Sequence, residues 1–399
     1  VSAASDVWVT GIGVVSGAGI GLDPLRSLLH RAGSAVQPLA SLDGRPAAAA
    51  PTPPKVAATR RLERSARLFA AACEAAWGDA GLLGVGLRLD RCGVIEGSSL
   101  GPMGDLLAEH RAVVSRGAGV RAAHLMRFMS GAGGAAFAQH HGLAGPVFAL
   151  SAGSVSAAFA VGEAWLKLAL GLMDVIVVGG GESPLEREIV ECFAAAGVLA
   201  PMEAAPPCRP FDADRCGTVL GEGAGALVLE RSEHARRRGV TARAVVSGVG
   251  TSCESYSAVS PDPSGAGVAR ASLAALRDTD PRDLGWIKAH GTGTRLNDTA
   301  ECRGLATALG PVLERAWLTS LKPTVGHCLG ASAAVETVAA VLALADGFVP
   351  ATVGTGQIDP ELPRCAVATS VREDRRPAAL LLAESFGGRC AATVLRRPA

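Results

Sequence analysis

The sequence has no excess of either charge. Its 38 Lys and Arg stand against 37 Asp and Glu, a formal net charge of +1. That excludes the broad basic footprint of a nucleic-acid or anionic-lipid binder. It also has no C-x-x-C pair. Ten cysteines (Cys73, Cys92, Cys192, Cys208, Cys216, Cys253, Cys302, Cys328, Cys365 and Cys390) are scattered along the chain. Neither a metal centre nor a disulfide framework is predicted from them, and a reducing cytoplasm fits. There is no signal-peptide pattern at Val1, and no uncharged apolar run is long enough and free enough of glycine to span a membrane. A soluble, cytoplasmic protein is expected. Two local basic runs could still meet an acidic partner: Arg60, Arg61, Arg64 and Arg67, then Arg236, Arg237 and Arg238. Such runs are more often solvated helix faces.

What is present points to a layered α/β body. The chain has 399 residues, 49% of them hydrophobic, and 50 glycines. That allows a large core in which helices pack closely on sheets. Residues 7–15 and 174–182 read as apolar strands running into glycines. The G-x-G of the first is not followed by the third glycine or the acidic residue of a dinucleotide site. Residues 44–55 read as an exposed Pro/Ala-rich segment, and 64–81 as an amphipathic helix. The later chain repeats this grammar: 242–250 answers 7–15, 286–294 answers 174–182, and 380–397 answers 218–231. This predicts two duplicated β/α halves, 1–239 and 240–399, with the boundary near Gly239 and an active site between them.

Three stretches carry candidate chemistry. Residues 147–172 read as a short strand, a turn of tiny residues and a helix apolar on nearly every face, so a buried one. Ser154 stands where that helix starts. It is either the helix cap or a nucleophile in the field of the helix N-terminus. Gly97, Ser99 and Gly101 match the G-x-S-x-G of a hydrolase elbow, but Pro102 follows at once and short motifs match by accident. His290 and His327 lie in two separate glycine-rich stretches, where a buried imidazole needs a hydrogen-bond partner. Neutral imidazoles can stabilise a developing enolate. Lys322 precedes His327 in the same loop and needs a carboxylate if buried, Glu336 or Glu222.

Taken together, VTGIGVVS, RPFDADRCGTVLGEGAG, KAHGTGTRLND, LKPTVGHCLGASAAVE and ESFGG resemble the ketosynthases of the thiolase superfamily, the condensing enzymes of type II fatty-acid and polyketide assembly. The resemblance covers nearly the whole chain. It implies a five-layer αβαβα fold of two similar halves, paired as a dimer through residues 147–150. His290 and His327 fall on the family's decarboxylation histidines, Lys322 on its lysine and Glu336 on the carboxylate partner. No metal or bound cofactor is implied. The implied substrate carrier is the phosphopantetheine arm of an acyl carrier protein, entering near residues 291–294 and Gly326.

Two departures set the functional expectation. The family's nucleophilic cysteine is Ser154 here, and a hydroxyl is a far weaker nucleophile than a thiol. Near the C-terminus Glu384 replaces an asparagine, and the oxyanion and gating loop, Phe386, Gly387 and Gly388, is two residues short. The chain is therefore expected to act as a chain-length-factor-like partner of an active ketosynthase, in a heterodimer or a homodimer. The alternative is a ketosynthase-like enzyme that decarboxylates a malonyl group or transfers an acyl group through Ser154.

Overall fold

The computed structural model describes residues 6–54, 59, 61–117, 119 and 122–398. Eleven strands build its frame: β1 (Val7–Ser16), β2 (Cys92–Gly97), β3 (Val147–Leu150), β4 (Val175–Glu182), β5 (Gly223–Arg231), β6 (Ala244–Cys253), β7 (Leu284–Lys288), β8 (Trp317–Thr319), β9 (Ala366–Val367), β10 (Ala378–Ser385) and β11 (Arg389–Arg396). In the first half β1 pairs antiparallel with β5, β5 antiparallel with β4, β4 parallel with β2, and β2 parallel with β3. In the second half β6, β11, β10, β7 and β8 repeat that sequence of pairings, and β9 adds an edge. The halves join where Val7, Trp8 and Val9 pair antiparallel with Val246, Val245 and Ala244.

This pairing corrects one expected correspondence. Residues 286–294 do not answer 174–182: β7 occupies the place of β2, and the β10–β11 hairpin occupies the place of β4 and β5. Apolar strands running into glycine look alike in sequence, and only hydrogen-bond partners tell them apart.

Helix α1 (Arg64–Asp79) packs outside the first half, its Leu68, Phe69, Ala72 and Ala76 against Val94, Val177 and Val228. Helix α2 (Ser156–Ala169) and helix α5 (Ser332–Asp346) lie in the middle, sharing one apolar cluster with strands of both halves. Helices α3 (Ala266–Ala275) and α4 (Arg295–Leu309) cover the outside of the second half. The result is the thiolase-like αβαβα stack. Helix α5 is buried from Ser332 to Leu344, as an apolar-all-round sequence requires. It belongs to the one stretch among the described residues, Leu329–Asp346, that is long and apolar enough to cross a membrane, and that stretch is mostly buried inside the protein. Gly225 on β5 seats it: a Cβ there would lie 2.5 Å from the Ala334 carbonyl carbon.

Three local expectations are corrected. Helix α2 is not buried all round, because Leu166, and Leu170 and Leu172 just beyond its end, are exposed. Its apolar outer face sits at the sheet edge rather than in the core. The 44–55 segment is not an exposed linker: Arg45–Ala47 forms a strand, and Ala47, Ala48 and Ala50 are buried. Lys55 lies outside the described residues. In the two basic runs, three of the described arginines are engaged. Arg64 turns inward onto Glu222 (2.8 Å), Arg238 bonds Glu230 (2.6 Å), and the Arg236 guanidinium covers the Trp8 ring. Arg60 lies outside the described residues. All ten cysteines are free.

Candidate active site

Ser154 follows the edge strand β3 and precedes the first residue of α2 by two positions. It does not cap the helix, which has Val155 at its cap position and no side-chain cap bond. Ser156 does the local work instead: its Oγ accepts from the Ala152 N–H (2.9 Å) and donates to the Gly153 carbonyl (2.6 Å). That leaves the Ser154 hydroxyl free to face the second half. Its Oγ lies 3.2 Å from His327 Nε2, and its backbone N–H donates to Ser385 Oγ at 3.0 Å. Gly153 permits this approach. Its φ is +70°, and a Cβ there would stand 2.1 Å from Ser385 Oγ.

His327 is pinned by backbone. Its N–H donates to the Val219 carbonyl (2.7 Å), and its carbonyl accepts from Gly221 (3.0 Å). Its Nδ1 lies 2.9 Å from Ser332 Oγ at the start of α5. His290 follows the C-terminal end of β7. Its ring meets that of His327 edge-on, centroids 5.4 Å apart. Glu301, on α4, holds its loop by accepting the N–H groups of His290 (2.5 Å) and Gly291 (2.8 Å). Both imidazoles are held well below the usual histidine range, by burial first and then by the nearby Lys322 and Lys288 charges. Both are therefore neutral at pH 7.

Behind them sits a buried three-charge cluster. Lys322 Nζ donates to Glu336 Oε1 (3.0 Å), while Lys288 Nζ donates to Glu336 Oε2 (2.5 Å) and the Leu382 carbonyl (2.5 Å). Lys322 thus takes Glu336 as its partner, and Glu222 belongs to Arg64. Burial alone would raise the Glu336 carboxyl, but the two ammonium groups outweigh it and hold it below the usual carboxylate range.

The glycine amides of the short gating loop are both bonded. The Gly387 N–H donates to the Ala258 carbonyl (2.8 Å) and the Gly388 N–H to Ser385 (3.1 Å), so neither is free as an oxyanion donor. Phe386 stands half-exposed at the mouth. Ser154, His290, His327, Glu384 and this loop line one cleft of about 650 Å³, the size of a small-molecule site. The elbow-like Ser99 is elsewhere: its backbone N–H and Oγ both donate to the buried Glu182 carboxylate (2.7 and 2.8 Å). Lys288, Glu301, Ser332 and Ser385 were not anticipated. Lys288 left one trace, a cation closing an apolar strand, but Glu301, Ser332 and Ser385 left none.

A helix-start hydroxyl facing two histidines across duplicated halves defines the site of a thiolase-type condensing protein. The chain belongs to the beta-ketoacyl synthase family: residues 4–235 match its N-terminal domain and residues 243–355 its C-terminal domain. It is similar to nodulation protein E of Rhizobium sp. (strain N33), 32% identical over 98% of this chain and 99% of the relative. It is also similar to a putative polyketide beta-ketoacyl synthase 1 of Streptomyces halstedii, 34% identical over 98% of each. Among solved structures, the ishigamide ketosynthase/chain length factor superposes with a TM-score of 0.90 at 26% identity, over 100% of each chain. A beta-ketoacyl synthase from Burkholderia phymatum STM815 superposes at 0.88 with 27% identity, over 99% of this chain and 100% of the other.

Proposed function

We propose that this chain is a chain-length-factor-like subunit that pairs with a catalytic ketosynthase in a type II polyketide or fatty-acid system. One observation carries the reading. The only side chain in the nucleophile's place is a hydroxyl facing a neutral imidazole, itself backed by another hydroxyl rather than a carboxylate. Nothing there ionises Ser154, so covalent loading belongs to the partner. The solved relatives titled as ketosynthase/chain length factor assemblies support this reading. So does the sheet edge. Among the described residues β3 pairs on one side only, Val147 and Phe148 are 36% and 37% exposed, and Leu166, Leu170 and Leu172 are exposed nearby. An unpaired apolar edge of this kind is a template for a second chain. The pairing that repeats across the seam supports the halves as 1–239, carrying Ser154, and 240–399, carrying His290, His327, Lys322 and Glu336.

Phe148→Asp is expected to weaken association with the cognate ketosynthase by about 30-fold, as for loss of an aromatic anchor. Sedimentation of the two purified chains measures it. A stable homodimer that binds no ketosynthase overturns the reading.

A second reading rests on the intact histidine pair: decarboxylation of a malonyl group delivered on the phosphopantetheine arm of an acyl carrier protein. His290 and His327 would donate N–H bonds to the thioester oxygen. The bond to the carboxylate carbon breaks, carbon dioxide leaves, the electron pair becomes an enolate, and water supplies the proton that yields acetyl. No covalent step on Ser154 is needed. Because both imidazoles stay neutral below the ordinary histidine range, the rate is expected to hold level from pH 8 down past pH 6.5. An acid limb centred at or above pH 6.5 would exclude a neutral pair. Intact-mass analysis of malonyl-loaded carrier protein follows the loss of carbon dioxide. An acyl adduct on Ser154 would instead establish transfer through an ester.

A further inference from the structure

The cleft holds a second group of reactive side chains that the histidine chemistry does not use. Glu384 and Cys390 face each other as register partners in the β10–β11 hairpin. Glu254 directly follows β6, whose last residue, Cys253, pairs with Arg389. One ligating atom from each of Glu254, Glu384 and Cys390 lies within 4.8 Å of the other two, and all three residues line the cleft.

Their free valences converge. Glu384 is 5% exposed, yet its Oε1 has no hydrogen-bond partner among the described residues. The same holds for Oε1 of Glu254, whose other oxygen accepts the Asp262 N–H (2.8 Å). Cys390 Sγ lies 3.8 Å from the Gly388 carbonyl and also meets the Ser252 hydroxyl. Gly267 keeps the space open: a Cβ there would stand 2.8 Å from Cys390 Sγ and 3.2 Å from Glu254 Oε1. Among the described residues neither carboxylate bonds a Lys or Arg, so a buried acid, a half-buried acid and a buried thiol share a volume with no directly bonded counter-ion. Such an arrangement is costly unless protons or a cation neutralise it.

We propose that Glu254, Glu384 and Cys390 bind a divalent metal of the zinc type. Two carboxylates and one thiolate are a mixed hard and soft donor set that suits zinc over magnesium or calcium. Three protein ligands leave a fourth position, open here to the cleft. On binding, the thiol and any protonated carboxyl release their protons to solvent, so the metal replaces the protons that otherwise neutralise the site. This inference is independent of whether the chain is a partner subunit or a decarboxylase.

The test uses the full chain stripped with chelator, carrying Glu74→Gln and His140→Ala. These changes disable the other candidate cluster, the largely exposed Glu74, His140 and His141. Zinc alone is titrated by calorimetry, and cobalt(II) by absorption. One equivalent of zinc is expected, with a thiolate-to-cobalt charge-transfer band in the near ultraviolet. Cys390→Ser should abolish the band, and Glu384→Gln should weaken zinc binding at least about 100-fold, beyond what loss of an outer partner costs. No stoichiometric zinc binding, or binding that both substitutions leave unchanged, overturns the proposal. If the variants do not fold, a parent cobalt spectrum without the thiolate band overturns it equally.

Discussion

Ser154→Cys is expected to convert a chain that accumulates no acyl adduct into one that is acylated readily by acyl carrier protein thioesters. The hydroxyl points into the cleft at 3.2 Å from His327 Nε2, so position is not what it lacks. It lacks ionisation. The imidazole is held neutral by burial and by Lys322 and Lys288, and its far nitrogen meets Ser332 rather than a carboxylate. His327 is therefore a weak base, and a serine needs a strong one. A thiol in the same place is a few per cent ionised at pH 7 and intrinsically more nucleophilic, so adduct formation should rise at least about 100-fold. Intact-mass time courses on parent and variant measure it. A variant as inert as the parent would place the defect in the gating loop, where the Gly387 and Gly388 amides are already bonded.

Glu336→Ala is expected to cost about 3–5 kcal/mol of folding stability, the usual penalty for stripping the partner from a buried charge. Lys288 and Lys322 are 1% and 0% exposed and share this one carboxylate. Removing it leaves two adjacent ammonium groups with no anion within bonding distance. Lys288→Met should cost less, since Glu336 and Lys322 remain as a neutral pair, while Glu336 Oε2 and the Leu382 carbonyl each lose a donor. Urea unfolding of the three proteins decides between them. Equal losses in both variants would mean that packing, not charge pairing, holds this cluster. The same substitution removes the two cations' shared anchor, so histidine titration in a folded Glu336 variant should shift further down.

The parts of the fold legible in the sequence were those with a strong local period. The run VIVVGGGE announces a strand covered on both faces, and it is β4. Helix α1 begins at Arg64, as its pattern indicates. Ser154, His290, His327, Lys322 and Glu336 were each visible as polar residues misplaced among glycines and apolar runs; the fold sets Ser154 against His327, His327 against His290, and Lys322 against Glu336. The repeat was visible too, but its strand correspondence was not, because β2 and β4 share one composition and differ only in their neighbours. Helix α2 reads as buried from composition, yet its Leu166 faces outward beside the edge strand. Composition carries no record of which side of a helix meets a sheet.

By itself, the sequence determined the layered α/β class and the family, and marked Ser154, His290, His327, Lys322 and Glu336 as candidate site residues. These are properties of residue type and short-range pattern. Only the tertiary structure decided that Ser385 occupies the Ser154 amide, that Lys288 joins Lys322 on Glu336, and that Glu254, Glu384 and Cys390 share one pocket. Those contacts join residues 48 to 231 positions apart or cross between strands. Hydrogen bonds and charge pairs depend on distance in space, and the chain alone does not encode that in any local period.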